Sequence, residues 1–139
     1  MAKPDDAATR CSLALLLDGA LCAYLAAYQS VQGKVTPLHG DFEPPAGTAP
    51  DTLYLHDMAV LPGMAGQGLA QQLLQPLWAQ ARATGLRHST LVSVQGSQGY
   101  WERQGYAVQA LADPLQQQRL ASYGDGAVYM ARALPPSVL

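Results

Sequence analysis

The chain has 139 residues and a formal net charge of −2, with 49% hydrophobic and 13% charged residues. This length and composition predict one compact domain spanning residues 1–139. The weakly acidic balance gives no general attraction to nucleic acid. Polar residues interrupt every apolar run before the ~18 residues that a membrane span needs, and no apolar segment lies at the signal-peptide position. We therefore expect a cytoplasmic protein with neither a nucleic-acid nor a membrane partner.

The first elements predicted are two strands, residues 12–17 and 20–28, joined in a hairpin at Asp18-Gly19. Both strands are apolar at nearly every position, which predicts a sheet covered on both faces. Residues 29–52 are polar and rich in Gly and Pro. We interpret them as a long surface loop containing a short strand near residues 35–38.

The rest of the chain alternates strands with helices. An i, i+4 row of apolar residues predicts the longest helix, which Pro76 should kink and Gly85 should end. The pattern predicts an α/β or α+β fold with a mixed sheet and a right-handed crossover around this helix. The predicted strands are 53–60, 89–94, 106–110 and 127–134, the last at a sheet edge, and the predicted helices are 66–84 and 97–104, with a helical turn at 115–120.

The two cysteines are interpreted as buried free thiols. In a two-residue hairpin, Cys22 faces Leu15 and Cys11 faces Ala26, too far apart for a disulfide. No His/Cys cluster has the spacing of zinc ligands, so we expect no metal.

The glycine cluster in "LPGMAGQGLAQQLL" lies between a predicted strand and the start of the long helix. Free amides at a helix start, together with the helix dipole, favour an anion, and Gly66 and Gly68 would allow a ligand to approach closely. The dinucleotide fingerprint is absent because Gln71 stands where its third glycine belongs, and no lysine completes a P-loop. Two interpretations stay open, a phosphate cradle and a purely structural turn.

The order and spacing of two blocks resemble the Gcn5-related N-acetyltransferase (GNAT) superfamily over about residues 12–134. The first block is "LYLHDMAVLPGMAGQGLAQQLLQPLWAQARATG" and the second is "LVSVQGSQGYWERQGYAV". The resemblance implies a mostly antiparallel twisted sheet flanked by helices, with central strands that splay to form an acetyl-CoA cleft. Family members usually have a strand and two helices before the hairpin, so this chain is interpreted as a short or N-terminally truncated member.

The resemblance also implies which residues bind acetyl-CoA. The family motif [RQ]-x-x-G-x-[GA] is matched by Gly68 and Ala70, but Ala65 stands where Arg or Gln is usual, and we expect weaker affinity as a result. Backbone amides of Met58 and Val60 would pair with the pantetheine arm. Ser97 is interpreted either as a helix cap or as a pantetheine contact. The predicted cofactor-binding residues are Met58, Ala59, Val60, Ala65, Gly66, Gln67, Gly68, Leu69, Ala70, Ser97, Tyr100 and Trp101.

Three residues are candidates for catalysis: His56, Tyr54 and Tyr100. The period of a strand places Tyr54, His56, Met58 and Val60 on one face and Asp57 on the other. The resemblance aligns His56 with a proton-relaying position, and its pKa suits a base; the alternative is a histidine that fills a polar niche in the sheet. The family's usual acid, a tyrosine, is replaced by Trp101, whose N–H donates a hydrogen bond but not a proton. Tyr100, Tyr123, water or no acid at all remain the alternatives.

We expect an N-acetyltransferase that moves an acetyl group from acetyl-CoA to a primary amine of a small molecule or peptide. The alternatives are a non-catalytic acyl-CoA-binding or sensing protein and a partner-binding module with an empty glycine turn. A homodimer is also expected, because N-terminal elements of the family are missing.

Overall fold

A computed structural model describes residues 12–17, 19–38, 40, 47–60, 68–94 and 96–135. The described chain contains six strands and three helices. The strands are β1 (Leu13–Leu17), β2 (Ala20–Ser30), β3 (Thr52–Val60), β4 (His88–Ser93), β5 (Ala107–Val108) and β6 (Val128–Ala133). The helices are α1 (Leu69–Ala83), α2 (Gln98–Arg103) and α3 (Pro114–Ala121).

The strands form one mixed sheet in the order β1-β2-β3-β4-β6-β5. Only the β3–β4 pair is parallel, because α1 connects these two strands and returns the chain to the same end of the sheet. The predicted α/β fold and its mostly antiparallel sheet are confirmed. The prediction that the last strand lies at an edge is wrong, since β6 lies between β4 and the short β5.

The hairpin prediction is confirmed by the pairing of Leu17 with Ala20. Its register contains a bulge, so Leu15 faces Ala23 and not Cys22 as the sequence predicted. Cys22 is a buried free thiol, whereas Cys11 lies outside the described residues. Cover on both faces does not extend to the hairpin tip, where Leu16 is 58% and Leu21 51% exposed.

Helix α1 packs the predicted apolar row onto one face of the sheet. Pro76 lies within α1, and the helix continues past it to Ala83. A Schellman motif ends the helix, in which Leu86 N donates to Ala81 O and Gly85 N donates to Arg82 O. The buried residues of α1 are Leu69, Leu73, Leu74, Leu77, Trp78 and Ala81.

A Gly85→Ala substitution is expected to lower the free energy of unfolding by about 1 kcal/mol, because Gly85 has a φ of 91° that a side chain disfavours. A Cβ there would meet no atom within 4 Å, so strain alone is measured. Urea unfolding tests the prediction. Gly99→Ala, inside α2, is the control and should stabilise the protein by about 0.5–1 kcal/mol. Equal effects of the two changes would contradict the prediction.

The segment 31–38 covers the opposite face of the sheet, where Gly33 N donates to the Tyr129 hydroxyl, and α3 packs on the outside of this segment. The sequence predicted a short strand at 35–38, but the structure has none there. Side chains satisfy the backbone instead: Val35 N donates to Gln116 Oε1, Leu38 N to Ser122 Oγ, and Thr36 N to the Tyr54 hydroxyl. The two layers, α1 with α2 and α3 with segment 31–38, leave a cleft between β3 and β4.

Candidate active site

The cleft forms because β3 and β4 separate. Their parallel ladder ends at the pair Leu55–Leu91, although β3 continues to Val60 and β4 to Ser93. The resulting cavity has a volume of about 600 Å³. Its lining consists of Leu25, Leu38, Leu55, His56, Asp57, Met58, Leu91, Val92, Val94, Ser97, Tyr100, Trp101 and Tyr123.

A β-bulge in β3 determines which side chains reach this cleft. The register passes from Leu55 opposite Ala27 to Asp57 opposite Ala26, so His56 is the extra residue. The predicted strict alternation is therefore wrong beyond His56. Met58 packs against the core under α1, and Asp57 lies on the Tyr24 side, where its Oδ2 accepts a hydrogen bond from the Tyr24 hydroxyl at 2.6 Å.

His56 is half-buried at the start of the cleft. Its ring lies 6.1 Å from that of Tyr28 and 6.2 Å from that of Tyr54, between centroids. Burial lowers the pKa of His56 below its ordinary 6.5, and the negative charge of Asp57 partly opposes this shift. The Nδ1 atom is buried and has no hydrogen-bond partner among the described residues. A neutral imidazole with an unpartnered nitrogen in a cleft is suited to exchange a proton with a ligand.

Tyr100 and Trp101 both line the cleft from α2. Trp101 is 8% exposed and contacts the Tyr100 and Tyr106 rings edge-on, with centroid distances of 5.0 and 5.5 Å. The Tyr100 hydroxyl is buried and has no partner within the described structure. Burial raises the pKa of Tyr100, and Arg103 opposes the shift. Neighbouring residues of a helix point about 100° apart, yet both side chains line the cavity.

Tyr54 lies deeper than the other catalytic candidates. It is 1% exposed, and its hydroxyl accepts a hydrogen bond from Thr36 N at 3.3 Å. Burial raises its pKa well above the ordinary value. Tyr54 is absent from the cavity lining, whereas Tyr123, which donates to Thr36 O at 2.5 Å, is present. The structure thus brings His56 and Tyr100 together at the cleft and leaves Tyr54 beneath segment 31–38.

Ser97 precedes α2 and lines the cleft, but its side chain makes no capping hydrogen bond. Its hydroxyl donates to Val94 O at 2.8 Å and lies 2.7 Å from Ser93 Oγ. The interpretation of Ser97 as a side-chain cap is therefore wrong, because these two partners occupy the hydroxyl.

The predicted phosphate cradle is described only in part. Gly68 has a left-handed φ of 72° immediately before α1, and no side chain caps this helix start. Leu69 and Ala70 begin the helix, where free backbone N–H groups favour an anion. Ala65, Gly66 and Gln67 lie outside the described residues, as does the Val60 side chain; Ala59 is an exposed residue of β3.

Sequence reasoning missed six residues that line the cleft: Leu25, Leu38, Leu55, Leu91, Val92 and Val94. Leu38 comes from a loop, so no periodicity could have placed it.

The described residues contain no group of three or more His, Cys, Asp or Glu side chains able to hold a metal. Across the same residues, no helix is both long and apolar enough to cross a bilayer.

The acetyltransferase (GNAT) family model matches residues 3–106, and the chain belongs to this family. No curated protein matches the chain by sequence.

Solved structures show the same fold. The ribosomal-protein-S18-alanine N-acetyltransferase of Escherichia coli has a TM-score of 0.63 and 17% identity, covering 96% of this chain and 75% of that one. The PaiA N-acetyltransferase of Thermoplasma acidophilum, solved with coenzyme A, has a TM-score of 0.61 and 11% identity, covering 90% and 61%. N-acetylglutamate synthase of Neisseria gonorrhoeae, solved with coenzyme A and N-acetyl-glutamate, has a TM-score of 0.64 and 18% identity, covering 89% and 26%. This chain thus spans less than two thirds of the length of the PaiA N-acetyltransferase and of N-acetylglutamate synthase.

Proposed function

We propose that this protein transfers the acetyl group of acetyl-CoA directly to a primary amine. The observation that carries the proposal is the cleft between β3 and β4, which His56 and Tyr100 both line. Among the described residues, His56 Nδ1 and the Tyr100 hydroxyl are buried without a hydrogen-bond partner. Buried polar groups are normally hydrogen-bonded, and unpaired ones at a cleft are typical of a site that a ligand completes. Family membership supports acetyl transfer as the reaction.

The start of α1 would hold the pyrophosphate of acetyl-CoA. The amides that follow Gly68 are uncapped, and Gly68 adopts a backbone conformation that residues with a side chain disfavour. Ala65, Gly66 and Gln67, which the sequence predicts to bind the cofactor, are proposed to contact the same pyrophosphate. Met58, Ala59 and Val60 would hold the pantetheine arm, because β3 has lost its β4 partner along this stretch.

In the proposed reaction the amine nitrogen attacks the thioester carbon, and a C–N bond replaces the C–S bond. His56 accepts the proton that the amine loses, since its lowered pKa keeps the imidazole neutral at pH 7. The Tyr100 hydroxyl donates a hydrogen bond to the leaving thiolate. Trp101 packs beside Tyr100 and limits the access of water to this end of the cleft.

A second function, acyl-CoA binding without transfer, is favoured by Trp101. Its indole occupies the position of the family's tyrosine acid, and an indole cannot supply a proton. Location in the cytoplasm and formation of a homodimer stay predictions from the sequence.

Acetyl-CoA is expected to stabilise the protein against thermal unfolding, by about 2.7 kcal/mol at 100 times its dissociation constant. The measurement compares the melting temperature with acetyl-CoA, CoA and ATP at equal concentration. ATP should give a smaller shift, because it lacks the pantetheine arm that the cleft would enclose. No shift with either CoA compound would contradict both functions.

Release of free CoA thiol in the presence of a panel of primary amines then separates the two functions. An enzyme releases CoA at a rate that depends on the amine. A binding protein gives the thermal shift without amine-dependent release.

A further inference from the structure

The outer wall of the cleft, on the α3 side, is formed by uncharged side chains. Leu38, Val94 and Tyr123 all line the cavity, and Leu38 and Val94 are 42% and 47% exposed. Hydrogen bonds hold this wall in place, from Leu38 N to Ser122 Oγ at 2.9 Å and from the Tyr123 hydroxyl to Thr36 O. A fixed wall of exposed apolar groups gains free energy when a ligand buries it.

Among the described residues that line the cleft, Asp57 is the one that carries a formal charge at neutral pH. Its carboxylate is exposed and is oriented by the Tyr24 hydroxyl. His56 adds no positive charge, because its pKa lies below 6.5. The charge carried by the described lining residues is therefore negative.

Basic side chains are absent from the lining in the described part of the chain. The described lysine and arginine residues all lie elsewhere, although the charge of Arg103 in α2 acts to lower the pKa of Tyr100. Arg119, on the outer layer, donates to Val35 O. The carboxylate of an amino acid in the cleft would thus be repelled by the carboxylate of Asp57, with no basic side chain of the described lining to offset the repulsion. The described basic residues are Lys34, Arg82, Arg87, Arg103, Arg119 and Arg132.

From these three observations we infer that the acceptor is a primary amine on an apolar, carboxylate-free body, such as an arylalkylamine, with Asp57 attracting its ammonium group. The inference rests on the proposed acetyl transfer. The ammonium must lose its proton before attack, so Asp57 acts in binding and His56 in the proton transfer.

The test uses the purified protein, acetyl-CoA and pairs of amines that differ by one group. Phenethylamine and phenylalanine differ only by the carboxylate, and we expect kcat/KM to be at least tenfold higher for phenethylamine. Phenylalanine amide, which has no negative charge, should recover most of this difference. Putrescine, which has a second cation and a shorter apolar body, should be a poorer substrate than phenethylamine.

An Asp57→Asn variant separates charge from structure. We expect the KM for phenethylamine to rise about tenfold and the KM for acetyl-CoA to stay unchanged, while the preference over phenylalanine shrinks. Asp125→Asn, which removes the same charge outside the cavity lining, should change neither constant.

Equal or faster acetylation of phenylalanine would overturn the inference and leave acetyl transfer standing. A preference for putrescine over phenethylamine would overturn the inference that the acceptor amine has an apolar body. An unchanged KM in Asp57→Asn would remove Asp57 as the ammonium site. Thermal stabilisation by acetyl-CoA with no release of CoA for any amine would overturn the proposed function itself, and the inference with it.

Discussion

A His56→Gln variant is expected to bind acetyl-CoA like the unchanged protein and to lose about 100- to 10,000-fold in kcat, the range of general base catalysis. Glutamine keeps a polar group in the cleft but cannot accept the proton. The thermal shift with acetyl-CoA reports binding, and single-turnover release of CoA reports the chemical step. Unchanged turnover would exclude His56 as the base and return it to its alternative role, a polar side chain filling a niche beside Tyr28 and Tyr54.

The pH profile gives the same prediction a second readout. Because burial lowers the pKa of His56, the acid limb of kcat/KM should have its midpoint below 6.5, with activity lost as His56 becomes protonated. The charge of Asp57 raises this pKa. Asp57→Asn should therefore move the limb to still lower pH, and a shift to higher pH would contradict the assignment.

The Tyr100→Phe variant is expected to be more stable and less active. Its hydroxyl is buried without a partner in the described structure, so removing it should raise the free energy of unfolding by about 1 kcal/mol. Loss of the hydrogen bond to the thiolate should lower kcat about 100-fold. Urea unfolding and steady-state kinetics measure the two effects.

Tyr106→Phe is the matched control. The Tyr106 hydroxyl accepts from Trp78 Nε1 at 3.1 Å and lies 2.7 Å from Ser89 Oγ. Its removal leaves two buried groups without this partner, which should cost about 1–3 kcal/mol. A Tyr100→Phe protein that is destabilised to the same degree, with activity unchanged, would show that Tyr100 is only a packing residue.

The sequence predicted most of the fold because its signals are local. The Asp18-Gly19 hairpin, the apolar row of α1 and its end at Gly85 each depend on neighbouring residues, and the structure confirms them. The edge position of the last strand was wrong because strand order depends on long-range pairing, and β5 is too short to reveal its place beyond β6.

The site was less predictable from sequence. His56 and Tyr100 were both singled out, and the structure brings them to one cavity. Tyr54 lies outside that cavity, since its hydroxyl holds segment 31–38, a tertiary contact that no local pattern encodes. The faces of β3 were predicted by strict alternation. A bulge breaks this alternation, and no glycine or proline in the strand indicates its position.

That bulge divides β3 into two halves that can vary separately. Before His56, Tyr54 supports the layer of segment 31–38 that carries Leu38. After it, Met58 packs against the core under α1. Point substitutions in the first half can therefore reshape the outer wall of the cleft without altering the surface proposed for the pantetheine arm. Because His56 is the residue that the register with β2 passes over, deleting it would leave Asp57 opposite Ala26 and every later residue on its present face. Deletion of a paired residue of β3 would instead exchange those faces.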